Sequence, residues 1–334
     1  MRLPIRYPWL MTIALLALIS LTLCSVTVGT VKLSHQDVIG ALGLSKTPVS
    51  NITRSIVIDL RLPRALLALL TGAVLAMVGA LLQTTTRNKL ADPFLFGLSS
   101  GASAGAVLVI TRFGDHLGLL SLPLAAFTGG IFSAVAVLFL FHFKKQRAAE
   151  HLILCGLAIS FIFSALTSYF VFSGDQRASS SVMFWSLGGL GLARWDNLAL
   201  AVMSLILISG FVALRWRELD GLLAGDPTAR SLGINVDRLR VEAFLCCALS
   251  TALLVALTGV IGFVGLMVPQ LCRHVVGVRH VILLPFCAVA GATLLCGSDI
   301  LSRTLLTAQE LPIGIITAGV GGIFIIVMLT YRQL

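Results

Sequence analysis

Long apolar runs separated by short polar clusters organise the chain, and the runs are continuous rather than alternating. A helix that crosses a bilayer needs ~20 apolar residues. The runs that approach this length are 9–29, 65–86, 94–111, 118–143, 152–172, 198–214, 241–262, 281–297 and 312–330. Alternation would mark the strands of a membrane barrel, so continuity argues for helices. Residues 263–280, "FVGLMVPQLCRHVVGVRH", start apolar and end with Arg273, His274, Arg279 and His280. The expected fold is an all-α polytopic membrane protein forming a single transmembrane domain over residues 1–334.

Charge settles the orientation and the tenth crossing. Cytoplasmic loops of membrane proteins carry an excess of Lys and Arg. With the N-terminus inside, three basic clusters fall inside: Arg87 with Lys89, Lys144 and Lys145 with Arg147, and the stretch from Arg215 to Arg240. Arg273 and Arg279 are also basic, so an even number of crossings must separate them from Arg240. A full span followed by a short one meets that demand. The count becomes about ten, with both termini cytoplasmic. Composition agrees: 57% of the residues are hydrophobic, 11% are charged, and the mean hydropathy is +1.01. The net charge of +10 is read as loop charge facing the cytoplasm and not as a nucleic-acid footprint.

"TGAVLAMVGALLQ" (71–83) and "TGVIGFVGLMVPQ" (258–270) share Thr-Gly and a Gln at equal spacing. With ten crossings the two copies run in opposite directions, as in the inverted repeats of transporters. A short or Gly/Pro-interrupted helix is expected after each Gln, which makes Gln83 and Gln270 candidates for a substrate path. Gly97, Gly101 and Gly105 repeat at four residues and leave one helix face nearly bare, so a neighbouring helix can approach closely there.

Catalytic chemistry finds little support. "GALGLSKT" (40–47) nearly spells a phosphate-binding loop, but Ser45 replaces its second Gly and no strand precedes it. The acids Asp59, Asp92, Asp115, Glu150, Asp175, Asp196, Asp299 and Glu310 fall at predicted span ends or in loops, not where a proton relay would sit. The seven cysteines form no CxxC pair and lie mostly inside apolar runs. No residue set for a metal, a cofactor or a nucleophile converges. The chain reads as a non-enzyme that carries no cofactor and takes energy from elsewhere.

One polar cassette stands out, "GDPTARSLGINVDRLR" (225–240). Asp226 is a candidate N-cap, Pro227 suits the first helical position, and Gly233 supplies a left-handed stop. These predict a helix from Pro227 to Leu232 inside a loop of about 25 residues, far longer than the usual connection. Leu222, Leu223, Asp226, Pro227, Ala229, Arg230, Leu232 and Gly233 form the expected docking surface for a partner protein.

The chain resembles the permease subunits of ABC importers that take up ferric siderophores, haem and vitamin B12. The matching segments include "RLPR" (61–64), "GAVLAMVGALLQTTTRNKLADPFLFGLSSGA" (72–102), "ARSLGINVDRLR" (229–240), "TGVIGFVGLMVPQLCRHVVG" (258–277), "SDILSR" (298–303) and "ELPIGIITAGVGGIF" (310–324). Overall likeness is greatest to the haem-uptake permeases. The resemblance implies a homodimer of ten-span subunits in the bacterial inner membrane. It also implies two cytoplasmic ATPase subunits, carrying ATP and Mg, that grip a coupling helix within 221–233. On the outside it implies a periplasmic binding protein docking on arginines that match Arg61, Arg64 and Arg303. Arg61 and Arg64 have a plainer reading as interfacial anchors. Arg177, in "SGDQRASSSVMF", is placed either to attract an anionic chelate or simply to be solvated in its loop. The chain departs from the family pattern at Asn88-Lys89, Pro269-Gln270 and Gly322-Ile323. A secondary transporter with an inverted repeat, or a membrane-embedded enzyme, are the rival classes.

Overall fold

The structure, a computed structural model, describes residues 7–29, 31, 33–43, 45, 49–113, 121–143, 149–174, 178–306 and 309–331. It is all-helical among those residues. The helices are α1 (Tyr7–Thr27), α2 (His35–Ala41), α3 (Asn51–Ser55), α4 (Leu62–Thr85), α5 (Leu98–Arg112), α6 (Ser121–His142) and α7 (Ala149–Ser173). They continue with α8 (Ala178–Ser186), α9 (Trp195–Leu222), α10 (Asp226–Ser231), α11 (Val236–Thr258), α12 (Val264–Val276), α13 (His280–Thr304) and α14 (Ile313–Tyr331). A π-turn, Ile56–Arg61, fuses α3 to α4, and a single 3-10 turn, Pro93–Phe96, leads into α5.

Eight of the described helices are long and apolar enough to cross a membrane: α1, α3–α4 as one unit, α6, α7, α9, α11, α13 and α14. The expected spans at 94–111 and 263–280 are realised as shorter helices. α5 has 15 residues and α12 has 13, about 22 and 20 Å at 1.5 Å per residue, less than the ~30 Å hydrocarbon core. α12 returns from the end of α11 through an extended link at 259–263. Phe263 holds a left-handed backbone at the start of α12 (φ 69°), unusual for a bulky side chain.

α4 is the most deeply buried of the spans and packs against α13, α12, α11 and α9. Glycine sets its closest crossings. A Cβ on Gly72 would lie 2.2 Å from the Gly291 carbonyl oxygen, and one on Gly79 would lie 1.9 Å from that of Gly265. The bare face expected on α5 is used in the same way. A Cβ on Gly101 would meet the Gly129 oxygen at 2.5 Å, and one on Gly105 the Ala125 oxygen at 2.0 Å, so α5 lies directly on α6.

Two expectations change. α9 does not stop near residue 214 but continues through Arg215, Glu218 and Asp220 to Leu222. Arg215 and Glu218 pair at 2.6 Å across one turn, so charges that resembled a loop extend the helix beyond its apolar part. The connection to α11 therefore covers 223–235, about half the expected length. The two Thr-Gly…Gln segments also differ in local structure. Residues 71–83 lie within α4, whereas 258–270 run from the end of α11 through the link into α12, so the second short helix contains its Gln instead of following it.

Candidate functional site

Polar side chains gather at the two ends of α4. At its N-terminal end Arg61 and Arg303 are both buried. Arg61 donates to the carbonyl oxygens of Val26 (3.0 Å), Thr27 (2.7 Å) and Val31. Arg303 donates to the carbonyls of Ser25 (3.1 Å) and Val28 (2.9 Å) and to the Ser25 hydroxyl (2.7 Å). The last carbonyls of a helix have no partner within it, and here two guanidinium groups cap those of α1. Asp299, fully buried, balances the charge. Arg64 Nε donates to it at 2.8 Å, and Arg303 Nη2 approaches its other oxygen at 2.6 Å as an ion pair lacking hydrogen-bond alignment. Arg64 also reaches Glu310 at 2.7 Å.

Arg61 and Arg303, expected from the resemblance as docking residues, therefore spend most of their donors on the backbone of α1 and the residues after it. Burial of an arginine is tolerable only with this many acceptors. Arg64 is partly exposed and Glu310 more so, and both line, together with Arg61 and Arg303, a cavity of about 220 Å³.

α10 sits at the opposite end of α4. Gly225 (φ 100°), not Asp226, precedes its first turn, and Gly233 (φ 81°) closes it as expected. Asp226 instead accepts from Arg240 Nη2 with both oxygens, at 2.8 and 2.7 Å. Arg240 is 1% exposed and its Nε donates to the Thr85 carbonyl at 2.9 Å. Nearby, the Asp220 carboxylate accepts the His280 backbone N–H at 2.8 Å and lies 2.7 Å from His280 Nδ1. His280 Nε2 lies 3.0 Å from the Thr84 hydroxyl. Asn235, not Asp237, caps α11, and Asp237 pairs with Arg230 at 3.2 Å.

The expected docking residues divide into two faces. Leu222 and Ala229 are fully buried and anchor the segment, whereas Leu223, Arg230 and Leu232 are exposed. Beside them a polar cavity of about 360 Å³ is lined by Arg215, Glu218, Leu232, Asn235, Arg238 and Glu242. Arg215 and Arg238 share Glu242 at 2.8 and 2.7 Å.

The two glutamines read as path residues are buried ties between helices. Gln83 Nε2 donates to the carbonyls of Gly265 (3.1 Å) and Leu266 (3.2 Å), and its Oε1 accepts from Arg273. Gln270 Nε2 donates to the Lys89 carbonyl at 2.5 Å. Two departures from the family pattern, at Lys89 and Gln270, thus meet each other. Arg177 lies outside the described residues. A larger cavity, about 750 Å³, was not foreseen. It is walled by Val109, Ser121, Ser181, Phe184, Trp185 and Thr258, among others, and falls in the size range of organic-ligand sites.

A sequence profile of the FecCD transport family matches residues 15–331. The chain belongs to that family. It is 36% identical over 312 residues to the hemin transport system permease protein HmuU of Yersinia pestis, covering 92% of this chain and 91% of that one. It is 37% identical to the Fe(3+) dicitrate permease FecD of Escherichia coli (80% of this chain, 82% of that one). It is 35% identical to the vitamin B12 permease BtuC of Klebsiella pneumoniae (82% of each). Among solved structures, one described as an inward-facing metal-chelate type ABC transporter superposes with a TM-score of 0.81 at 30% identity, covering 98% of this chain and all of that one. The chain is thus a multi-pass ABC importer permease.

Proposed function

We propose that this permease moves haem, or a closely related ferric chelate, from periplasm to cytoplasm by alternating access driven by ATP on partner subunits. The observation that carries this reading is α10. It presents Leu223, Arg230 and Leu232 outward while Leu222, Ala229 and the Asp226–Arg240 pair fasten it to the membrane helices. An ATPase gripping that face would hold a lever already joined to the span bundle. Haem is favoured by identity to the hemin permease across 92% of the chain. Ferric siderophore and cobalamin are the alternatives within the family, since the dicitrate and B12 relatives are about as similar.

The proposed assembly is two copies of this chain in the bacterial inner membrane, with both termini cytoplasmic. Two ATPase subunits bind ATP and Mg on the α10 side, and a periplasmic binding protein docks at the other face. This chain contributes no cofactor and no catalytic group. On the periplasmic side Arg64 and Glu310 form the exposed part of the docking surface, and Arg61 and Arg303 support it from beneath. The 750 Å³ cavity beside Trp185 is the proposed wall of the substrate path.

Proteoliposomes containing the chain, its ATPase subunits and the binding protein test this directly. ATP-dependent uptake should be greatest for haem when haem, a ferric siderophore and cobalamin are compared. Uptake by the chain alone, collapsing with a proton or sodium gradient and indifferent to ATP, would identify a secondary transporter instead.

A further inference from the structure

Two hydrogen-bonded struts join the α10 segment to a single turn of α4. One runs from Asp226, the first residue of α10, through Arg240 on α11 to the carbonyl of Thr85. The other runs from Asp220, in the last turn of α9, through His280 at the start of α13 to the hydroxyl of Thr84. Adjacent residues of α4 therefore receive one strut from α10 itself and one from the turn of α9 just before it. Both middle residues are buried, Arg240 at 1% exposure and His280 at 0%, so water cannot replace a broken contact cheaply. The next residue toward the core, Gln83, extends the linkage to α12 through the carbonyls of Gly265 and Leu266.

The geometry leaves little slack. Arg240 uses Nη2 for Asp226 and Nε for Thr85, so one rigid guanidinium plane holds both partners. Moving α10 either breaks charge-assisted bonds at 2.7–2.8 Å or carries the end of α4 along. We propose that Asp226–Arg240 and Asp220–His280 are positioning pairs that deliver the displacement of α10 to the last turn of α4 during transport. The proposal rests on the reading of the chain as an ATP-driven importer. It adds the receiving element and the residues that reach it.

A simple structural staple predicts something different. Weakening a staple lowers the amount of assembled transporter, and transport and ATP hydrolysis fall together. Weakening a strut uncouples them. The test measures haem taken up per ATP hydrolysed in proteoliposomes containing the whole transporter, for wild type, Asp226→Asn, Arg240→Lys, Asp220→Asn and the exchange Asp226→Arg with Arg240→Asp. Asp226→Asn keeps the shape and removes the charge at the partly exposed partner, so it folds if any variant does. Haem per ATP is expected to fall about two- to thirty-fold in the single variants, the range by which residues along a coupling network shift linkage. The exchange restores the ion pair but sets a carboxylate against the Thr85 carbonyl. Haem per ATP should therefore stay low although the ion pair is restored. Wild-type ratios in Asp226→Asn and Arg240→Lys, or a full return of the ratio in the exchange, overturn the Asp226–Arg240 strut, a wild-type ratio in Asp220→Asn overturns the Asp220–His280 strut, and both results leave the importer reading intact. A wild-type transporter that moves no haem, siderophore or cobalamin with ATP removes that reading and the struts with it.

Discussion

Replacing Gly79 by Ala tests the packing of α4 most sharply. The new Cβ would stand 1.9 Å from the Gly265 carbonyl oxygen and 2.4 Å from its carbon, where ordinary contact begins at 3.4 Å. Both obstacles are backbone, so no side chain can swing aside, and α4 and α12 must separate by about 1.5 Å to restore van der Waals contact. Overpacking costs about 1–3 kcal/mol where a core can yield, and more where it cannot. Helix propensity returns about 1 kcal/mol. Separation also stretches the two Gln83 bonds to the Gly265 and Leu266 carbonyls, each contributing about 1 kcal/mol. The net loss is about 3 kcal/mol. At roughly 2 °C per kcal/mol for a chain of this length, the melting temperature should drop by about 6 °C.

Gly297→Ala is the matched control, because a Cβ there meets nothing within 4 Å. It keeps the propensity gain without the clash and should melt at or slightly above wild type. Thermal unfolding in detergent can be followed with a thiol-reactive fluorophore, since six of the seven free cysteines are buried and only Cys24 is partly accessible. Melting of Gly79→Ala at the wild-type temperature, or an equal loss in Gly297→Ala, would refute the claim that backbone contact sets this crossing.

Arg303→Ala strips the Ser25 and Val28 carbonyls of donors and leaves fully buried Asp299 with Arg64 alone; the loss of about 3–5 kcal/mol should abolish monodisperse protein, and Arg303→Lys should recover part of the yield. Arg64→Gln keeps an amide donor toward Asp299 and removes the partly exposed cation, so folded permease should still be recovered, in lower yield than wild type, while its binding-protein complex forms more slowly, measured by association rate at low and high salt. Arg230→Glu and Leu232→Asp change exposed residues, so they should melt like wild type yet co-purify with several-fold less ATPase; undiminished co-purification would remove α10 as the docking face. Burial pushes the Asp92 carboxyl, on the link between α4 and α5, up to about 6, with the Phe94 N–H pulling against the rise. A raised carboxyl leaves the fold unpenalised below about pH 4 and weakens it as pH climbs through 6, so Asp92→Asn should match wild type near pH 4 and exceed it by about 3 kcal/mol at pH 7.5, measured as the difference in melting temperature.

The spans were legible in the sequence because a bilayer demands continuous apolar length, and each predicted run falls on a helix, although α9 and α13 continue well past the predicted ends at 214 and 297. The polar residues misled wherever their partners lay far along the chain. Asp226 has the local signature of an N-cap, yet its guanidinium partner lies fourteen residues on, at Arg240. Arg61 and Arg303 look like surface charges at span ends, but they fold back on carbonyls at 25–28 that only the assembled bundle brings near. Gln83 and Gln270 sit in apolar helices, where an unpaired amide would suggest a path; instead each donates to backbone carbonyls at the α12 start and at Lys89. What local pattern did supply was geometry without long-range partners: the Gly233 stop and the α5 glycine face.

The middle of α4 is apolar and locked to α12 and α13 by backbone contacts at Gly79 and Gly72, whereas its ends carry polar ties: the Arg64 ion pairs at one, and hydrogen bonds of Arg240 and His280 to Thr85 and Thr84 at the other. This division has a mechanical consequence. Close backbone contacts resist shear, so the 24-residue helix, about 36 Å long, is expected to move as one post with its α12 and α13 neighbours. A displacement received at Thr84 and Thr85 would then reach Arg64 at the far end and disturb its ion pairs with Asp299 and Glu310. Exchange of that ion pair, slow in the resting permease and faster when ATPases close, is the signature expected of a post. Local exchange at Thr85 without any change at Arg64 would mean that α4 bends between its glycines.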